Sequence, residues 1–162
     1  VSLPGKKVLV ADDIKTVTQH SIREEIKNAV WILLAEDNLI SQKLITLMLK
    51  KAGYQVAVTA TGKKVVDTYT AYPDNFSLIF MDIRMPEMDG LEATRQIRIW
   101  EKQQAARHAG KTRKIPIVAL TANAMVGDRK MCLDAGMDDY ASKPIERDVV
   151  FAMLKKWVRS DG

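Results

Sequence analysis

From about residue 30 the chain alternates short apolar runs with longer stretches whose apolar residues recur at helical spacing. Val30–Ala35 is continuously apolar, as a strand buried on both faces would be. Asn38 is placed to cap the helix that follows, on which Ile40, Leu44, Leu47 and Met48 fall on one face, and Gly53 ends it. Gln55–Thr59 reads as a second strand, and Lys63–Tyr72 as a helix stopped by Pro73. Leu78–Met81 is another buried strand and runs into Asp82. A long helix over Leu91–Ala106 follows Gly90, then a strand over Ile115–Leu120 and a helix over Ala124–Ala135 closed by Gly136. A short strand over Asp138–Ala141 precedes the last helix, Glu146–Val158, which would bury Val149, Val150, Met153, Leu154 and Trp157.

Five strands alternating with five helices imply an α/β fold, a doubly wound parallel sheet with helices on both faces, because parallel neighbours need right-handed crossovers. In such sheets the functional crevice lies beyond the carboxyl ends of the strands. The first strand ends in Glu36 and Asp37, the third in Asp82 and the fourth in Thr121, while Lys143 and Pro144 follow the fifth. Three converging carboxylates repel one another unless a cation neutralises them, and hard oxygen donors suit Mg²⁺, with Mn²⁺ as a substitute. Taken singly, Thr121 is a strand-end hydroxyl and Lys143 a surface lysine. Together they supply a donor and a fixed positive charge for a phosphoryl group, whose transfer depends on positioning and charge neutralisation. A carboxylate then serves as nucleophile.

The segments Ala35–Asn38, Met81–Gly90, Ala119–Ala122 and Lys143–Ile145 resemble, in order, those of response-regulator receiver domains, over about residues 29–160. The resemblance implies a flavodoxin-like strand order of 2-1-3-4-5. It also implies that Asp82 accepts a phosphoryl group from a phosphohistidine donor, in a histidine kinase or a histidine phosphotransfer domain. Glu36, Asp37, Asp82 and the backbone carbonyl of Arg84 would hold the metal. Lys143 would pair with Asp82 and then with the phosphoryl oxygens, and Thr121 would move to meet the phosphoryl group with Tyr140 following as its aromatic partner. Tyr140 also reads as ordinary packing on a short strand. Arg84 and Asn123 occupy positions that influence phosphoryl loss, and Pro144 resembles a proline often preceded by a cis peptide. The wording around Thr121–Ala124 and Asp138–Tyr140 is most similar to receivers of hybrid sensor histidine kinases. Such a domain catalyses its own phosphotransfer and slow dephosphorylation and is not a turnover enzyme.

Composition adds limits. The 162 residues are 47% hydrophobic and 28% charged, in the range of one globular domain. No apolar run approaches the roughly 20 residues of a membrane span, and no secretory signal is visible. A single cysteine, Cys132, excludes an internal disulfide and fits a reducing cytoplasm, although a parent protein anchored in a membrane remains compatible. The chain begins at Val1, as expected of a piece of a longer protein. Much of the net charge of +5 falls in Lys102–Lys114, without the aromatic interleaving of a single-strand binder, so direct nucleic-acid contact is not expected.

Residues 1–28 divide from the receiver-like part at 29–162. Lys7–Asp13 repeats the pattern of Leu33–Asp37, and Ile14–Asn28 reads as a helix, so the segment is a linker or a truncated receiver-like strand and helix. It could also pair across a dimer. Asp37 precedes Asp82 by 45 positions, close to the receiver pattern, whereas Asp13 precedes it by 69, which assigns the acidic role to Glu36 and Asp37 and makes Asp12 and Asp13 decoys. Three rivals were weighed. A pseudo-receiver conflicts with the complete set of five residues. A Mg²⁺-dependent aspartyl-phosphate phosphatase wants a second Asp two residues after the nucleophile, where this chain has Arg84. A flavin binder wants a phosphate-cradling loop after the first strand, where this chain has two carboxylates.

Overall fold

A computed structural model describes residues 30–108, 113–122 and 126–158. The readings made for residues 1–28 and for Asn123 lie outside the described residues.

The elements in chain order are β1 (Trp31–Ala35), α1 (Leu39–Lys51), β2 (Gln55–Thr59), α2 (Gly62–Ala71), β3 (Phe76–Asp82), α3 (Gly90–Arg107), β4 (Ile117–Thr121), α4 (Val126–Ala135), β5 (Asp139–Ser142) and α5 (Arg147–Trp157). The strands form one parallel sheet in the order 2-1-3-4-5, as the resemblance implied. Side chains alternate across it. Leu33, Ile79, Met81, Ile117 and Ala119 point to the layer of α2, α3 and α4, where they meet Val65, Ile97 and Cys132. Ile32, Leu34, Leu78, Phe80, Val118 and Leu120 point to the other layer, against Ile45 and Leu49 of α1 and Val150 and Leu154 of α5. Both faces of the central strands are therefore dry, which explains why β1 and Leu78–Met81 of β3 read as unbroken apolar runs.

The face expected of α1 is corrected in part. Ile45 and Leu49 are the buried pair, with Met48 half-buried beside them, whereas Ile40 is 78%, Leu44 44% and Leu47 53% exposed. The apolar arc of α1 is wider than the strip the sheet can cover, so one edge packs and the other stays in water. On α5 only Val150 and Leu154 are fully buried, with Val149, Met153 and Trp157 packed half-buried around them.

The caps explain the starts of three helices. The Asn38 side chain accepts from the Ser41 amide, Thr61 from Lys64 and Asp89 from Glu92. Gly53, at φ 95°, supplies the left-handed turn that closes α1. Among the described residues no helix is long and apolar enough to cross a membrane.

Candidate functional site at the carboxyl edge of the sheet

Parallel strands all end on one edge, and that edge gathers the residues singled out in the sequence. Glu36 and Asp37 leave β1, Asp82 closes β3, and Thr121 closes β4 one residue beyond Leu120, the register partner of Asp82. Lys143 follows β5, its amide donating to the Thr121 carbonyl at 2.7 Å, and its peptide with Pro144 is cis. Glu36, Asp82 and Thr121 are buried, while Asp37 faces solvent.

The Lys143 ammonium lies between two carboxylates, 2.5 Å from Glu36 Oε1 and 3.0 Å from Asp82 Oδ2. Glu36 is further held by the Asn38 amide, which donates to its Oε2 at 3.1 Å, and Gln42 donates from Nε2 to the Glu36 carbonyl at 2.5 Å. The Arg84 amide donates to Asp82 Oδ1 at 3.3 Å. One lysine does not neutralise this cluster. Burial, reinforced by the hydrogen bond with Glu36, pushes Asp82 up to about 7. Burial would also raise Glu36, but hydrogen bonds from Asp82, Lys143 and Asn38 hold it below the ordinary carboxylate value. Burial would lower Lys143, and its two carboxylate partners more than offset that. The pair of carboxylates thus keeps one proton, carried on Asp82, beyond the usual range.

A divalent cation would remove the need for that proton. One oxygen each from Glu36, Asp37 and Asp82 lie within 4.8 Å of one another, an all-oxygen donor set open to solvent on the Asp37 side. The donors and the charge imbalance fit Mg²⁺, which takes few carboxylates and retains water.

The loop from Asp82 to Gly90 is built tightly. Gly90 donates its amide to the Ile83 carbonyl at 2.7 Å, and a Cβ there would meet the Asp82 carbonyl oxygen at 2.1 Å. Gly62 donates to the Met88 carbonyl at 3.0 Å and likewise has no room for a Cβ. Met85 and Met88 pack into the core beneath, so the loop after Asp82 is fastened at both ends and in its middle.

Tyr140 lies half-buried on β5, with the Arg129 guanidinium over its ring, 5.2 Å from the centroid. Three site features were not singled out from sequence: Gln42, the Asn38 amide and the missing side chain at Gly90. The first two act through backbone groups, which no residue pattern advertises. The third had a signal in the glycine that precedes a helix.

Residues 32–155 match the response regulator receiver domain family. The chain is 35% identical over 127 residues to hybrid signal transduction histidine kinase M of Dictyostelium discoideum, a match that covers 78% of this chain and 5% of that protein. It is 41% identical to the crystallised receiver domain of sensor histidine kinase PA1611 from Pseudomonas aeruginosa PAO1, which has a magnesium ion coordinated in its active site cleft. That likeness has a TM-score of 0.65 and covers 80% of this chain and 98% of that one. A co-crystal structure of the Saccharomyces cerevisiae histidine phosphotransfer protein Ypd1 with the receiver domain of Ssk1 matches at 30% identity and a TM-score of 0.72, over 80% of this chain and 89% of that one. Fold, strand order and family match agree: the chain belongs to the response regulator receiver domain family.

Proposed function

We propose that residues 29–162 form a phospho-accepting receiver in a two-component phosphorelay, with Asp82 as acceptor. The observation that carries this reading is the Lys143 ammonium held between Glu36 and Asp82 beside the end of β4, a charge-loaded crevice at the switch edge of the sheet. Asp82 attacks the phosphorus of a phosphohistidine in line, the P–N bond breaks, and the imidazole leaves with its electron pair. Lys143 then turns from the carboxylates to the phosphoryl oxygens, and Thr121 supplies a hydroxyl to the same group. Glu36, Asp37, Asp82 and the Arg84 carbonyl would hold Mg²⁺, or Mn²⁺ in its place, which neutralises charge on the transferring group. Tyr140 follows Thr121 inward, and the rearrangement alters the face of α4, β5 and α5.

The donor is a histidine kinase or a histidine phosphotransfer domain. The exposed apolar edge of α1 supports this, since Leu39 and Ile40 begin two residues after Asp37 and continue through Leu44 and Leu47. A donor delivering histidine to Asp82 covers that edge. The relatives that are hybrid kinases support a parent protein of that type.

Incubation with Mg²⁺ and acetyl phosphate, followed by intact mass, tests the reading. One phosphoryl adduct is expected on the native chain and none on Asp82→Asn. Failure of the native chain to accept from both acetyl phosphate and a phosphohistidine donor would instead establish a partner-binding domain without phosphorylation.

A further inference from the structure

The edge of the sheet opposite Asp82 carries a second concentration of charge that the phosphoryl chemistry does not use. α3 starts beside Asp82 and runs to this edge, and its last turns continue past the sheet to Arg107. Between those turns and the end of α4 lies a groove of about 420 Å³, floored by Ala105 and Ala135 and rimmed by Lys102, Arg113 and Lys114. A second cavity, about 460 Å³, opens on the other side of Arg113 and Lys114, against Ser77, Lys156 and the Trp157 ring. Arg113 and Lys114 therefore form a cationic ridge between two recesses with a further lysine beyond each.

The carboxylates at this edge are already committed. Glu101 is bound by Arg98, Tyr69 and the Ile115 amide. Asp138 is bound by Arg98, Lys114 and the Ile117 amide, Asp139 by Lys156 and the Trp157 indole, and Asp134 by Lys130. By contrast, among the described residues neither Lys102 nor Arg113 forms an ion pair. The Arg113 guanidinium donates to a neutral acceptor, the Phe76 carbonyl, and keeps its charge uncompensated. Lys102–Lys114 contains five basic residues and no acidic one, against +5 for the whole chain.

We propose that this amino-terminal edge of the sheet docks an acidic segment of a protein partner across the Arg113–Lys114 ridge. The apolar floor and cationic rim of the first recess, and the Trp157 ring and lysines of the second, suit a peptide that alternates carboxylates with apolar side chains, since acidic motifs are read by clustered basic groups. Both recesses are of a size that encloses side chains. Among the described residues lining the two recesses the one aromatic ring is Trp157, already faced by the Lys156 ammonium at 5.3 Å and bonded through its indole to Asp139, which favours protein over nucleic acid. The two ends of the molecule work independently: the partner is held at the amino edge while Asp82 stays open to its donor.

The test is binding of a fluorescein-labelled 16-residue peptide of alternating glutamate and leucine pairs, read by anisotropy, with ¹⁵N–¹H shifts to locate it. Binding is expected to weaken at least tenfold between low and physiological salt, and again at least tenfold in Lys102→Glu with Arg113→Glu. Shifts should fall on residues 98–107, 113–114 and 134–138 and, in the second recess, on Ser77, Lys156 and Trp157, with acetyl phosphate still adding to Asp82. Lys102→Ala, at an exposed helix position, gives a smaller loss without risk to folding. No binding at millimolar peptide, equal binding by the reversed variant, or shifts elsewhere would overturn the proposal. So would tighter binding of a single-stranded RNA of equal charge, which would make the edge a nucleic-acid surface.

Discussion

The two edges of the sheet carry the same kinds of groups in opposite states of satisfaction. At the carboxyl edge Glu36 and Asp82 share one ammonium beside the exposed Asp37, and Asp82 retains its proton up to about 7. At the amino edge Glu101, just as buried, receives three donors: Tyr69 at 2.7 Å, Arg98 at 2.7 Å and the Ile115 amide at 2.9 Å. Arg98 in turn spends its other nitrogens on the Gly136 carbonyl and Asp138, both at 2.9 Å. One edge is a finished network that ties α2, α3, β4 and β5 together. The other is left short of positive charge, which is what a site awaiting a cation and a phosphoryl group requires. Buried carboxylates, then, do not by themselves mark function; their unmet demand does.

Removing a partner from the finished network should cost most. Arg98→Leu strands Glu101 and Asp138 and is expected to lower stability by about 3–5 kcal/mol in urea unfolding. A loss below about 1 kcal/mol would erase the contrast between the edges. Mg²⁺ should act only on the other edge. At a hundredfold excess over its Kd it is expected to stabilise the native chain by about 2.7 kcal/mol, and Asp82→Asn by clearly less, as a thermal shift would reveal. Tyr69→Phe takes one donor from Glu101 and should cost about 1–3 kcal/mol without altering phosphoryl uptake.

The smallest effect concerns pH in the presence of a chelator. The folded-state value of Asp82 is raised from 3.8 to about 7, so its contribution favours folding below about 4 and is lost as pH rises toward 7. Native stability should decline across that window relative to Asp82→Asn, by about 1 kcal/mol or more, since the Lys143 ammonium offsets part of the cost of ionising Asp82. Parallel unfolding curves for the two proteins at pH 4 and pH 8 would remove the idea that the edge is short of charge.

The carboxyl edge was legible in the sequence because Glu36, Asp82 and Thr121 each follow an apolar run, so that naming those strands also named most of the site. The strands themselves were legible because burial on both faces leaves no polar interruption in β1 or in Leu78–Met81 of β3. Helix faces were read less well. On α1 the widest apolar arc suggested a core stripe at Ile40, Leu44 and Leu47, and the sheet took Ile45 and Leu49 instead. The Glu101 network left no trace in the sequence pattern. A glutamate near the end of a charged helix reads as solvated, and its partner Tyr69 lies 32 residues away, while Arg98 reaches Asp138 across 40. Only the packed fold brings these groups together.

The bond from the Ile115 amide to Glu101 has one more consequence. α3 runs on past Glu101 to Arg107, and at Ile115 the chain is again held by that same carboxylate, so the intervening sequence is a detour whose two ends are pinned near one point. Closing such a detour grows costlier only slowly with length, by about 0.6 kcal/mol per doubling. Added length between His108 and Arg113 is therefore cheap for the domain, at the far end from Asp82 and outside the Lys102, Arg113 and Lys114 side chains of the basic ridge.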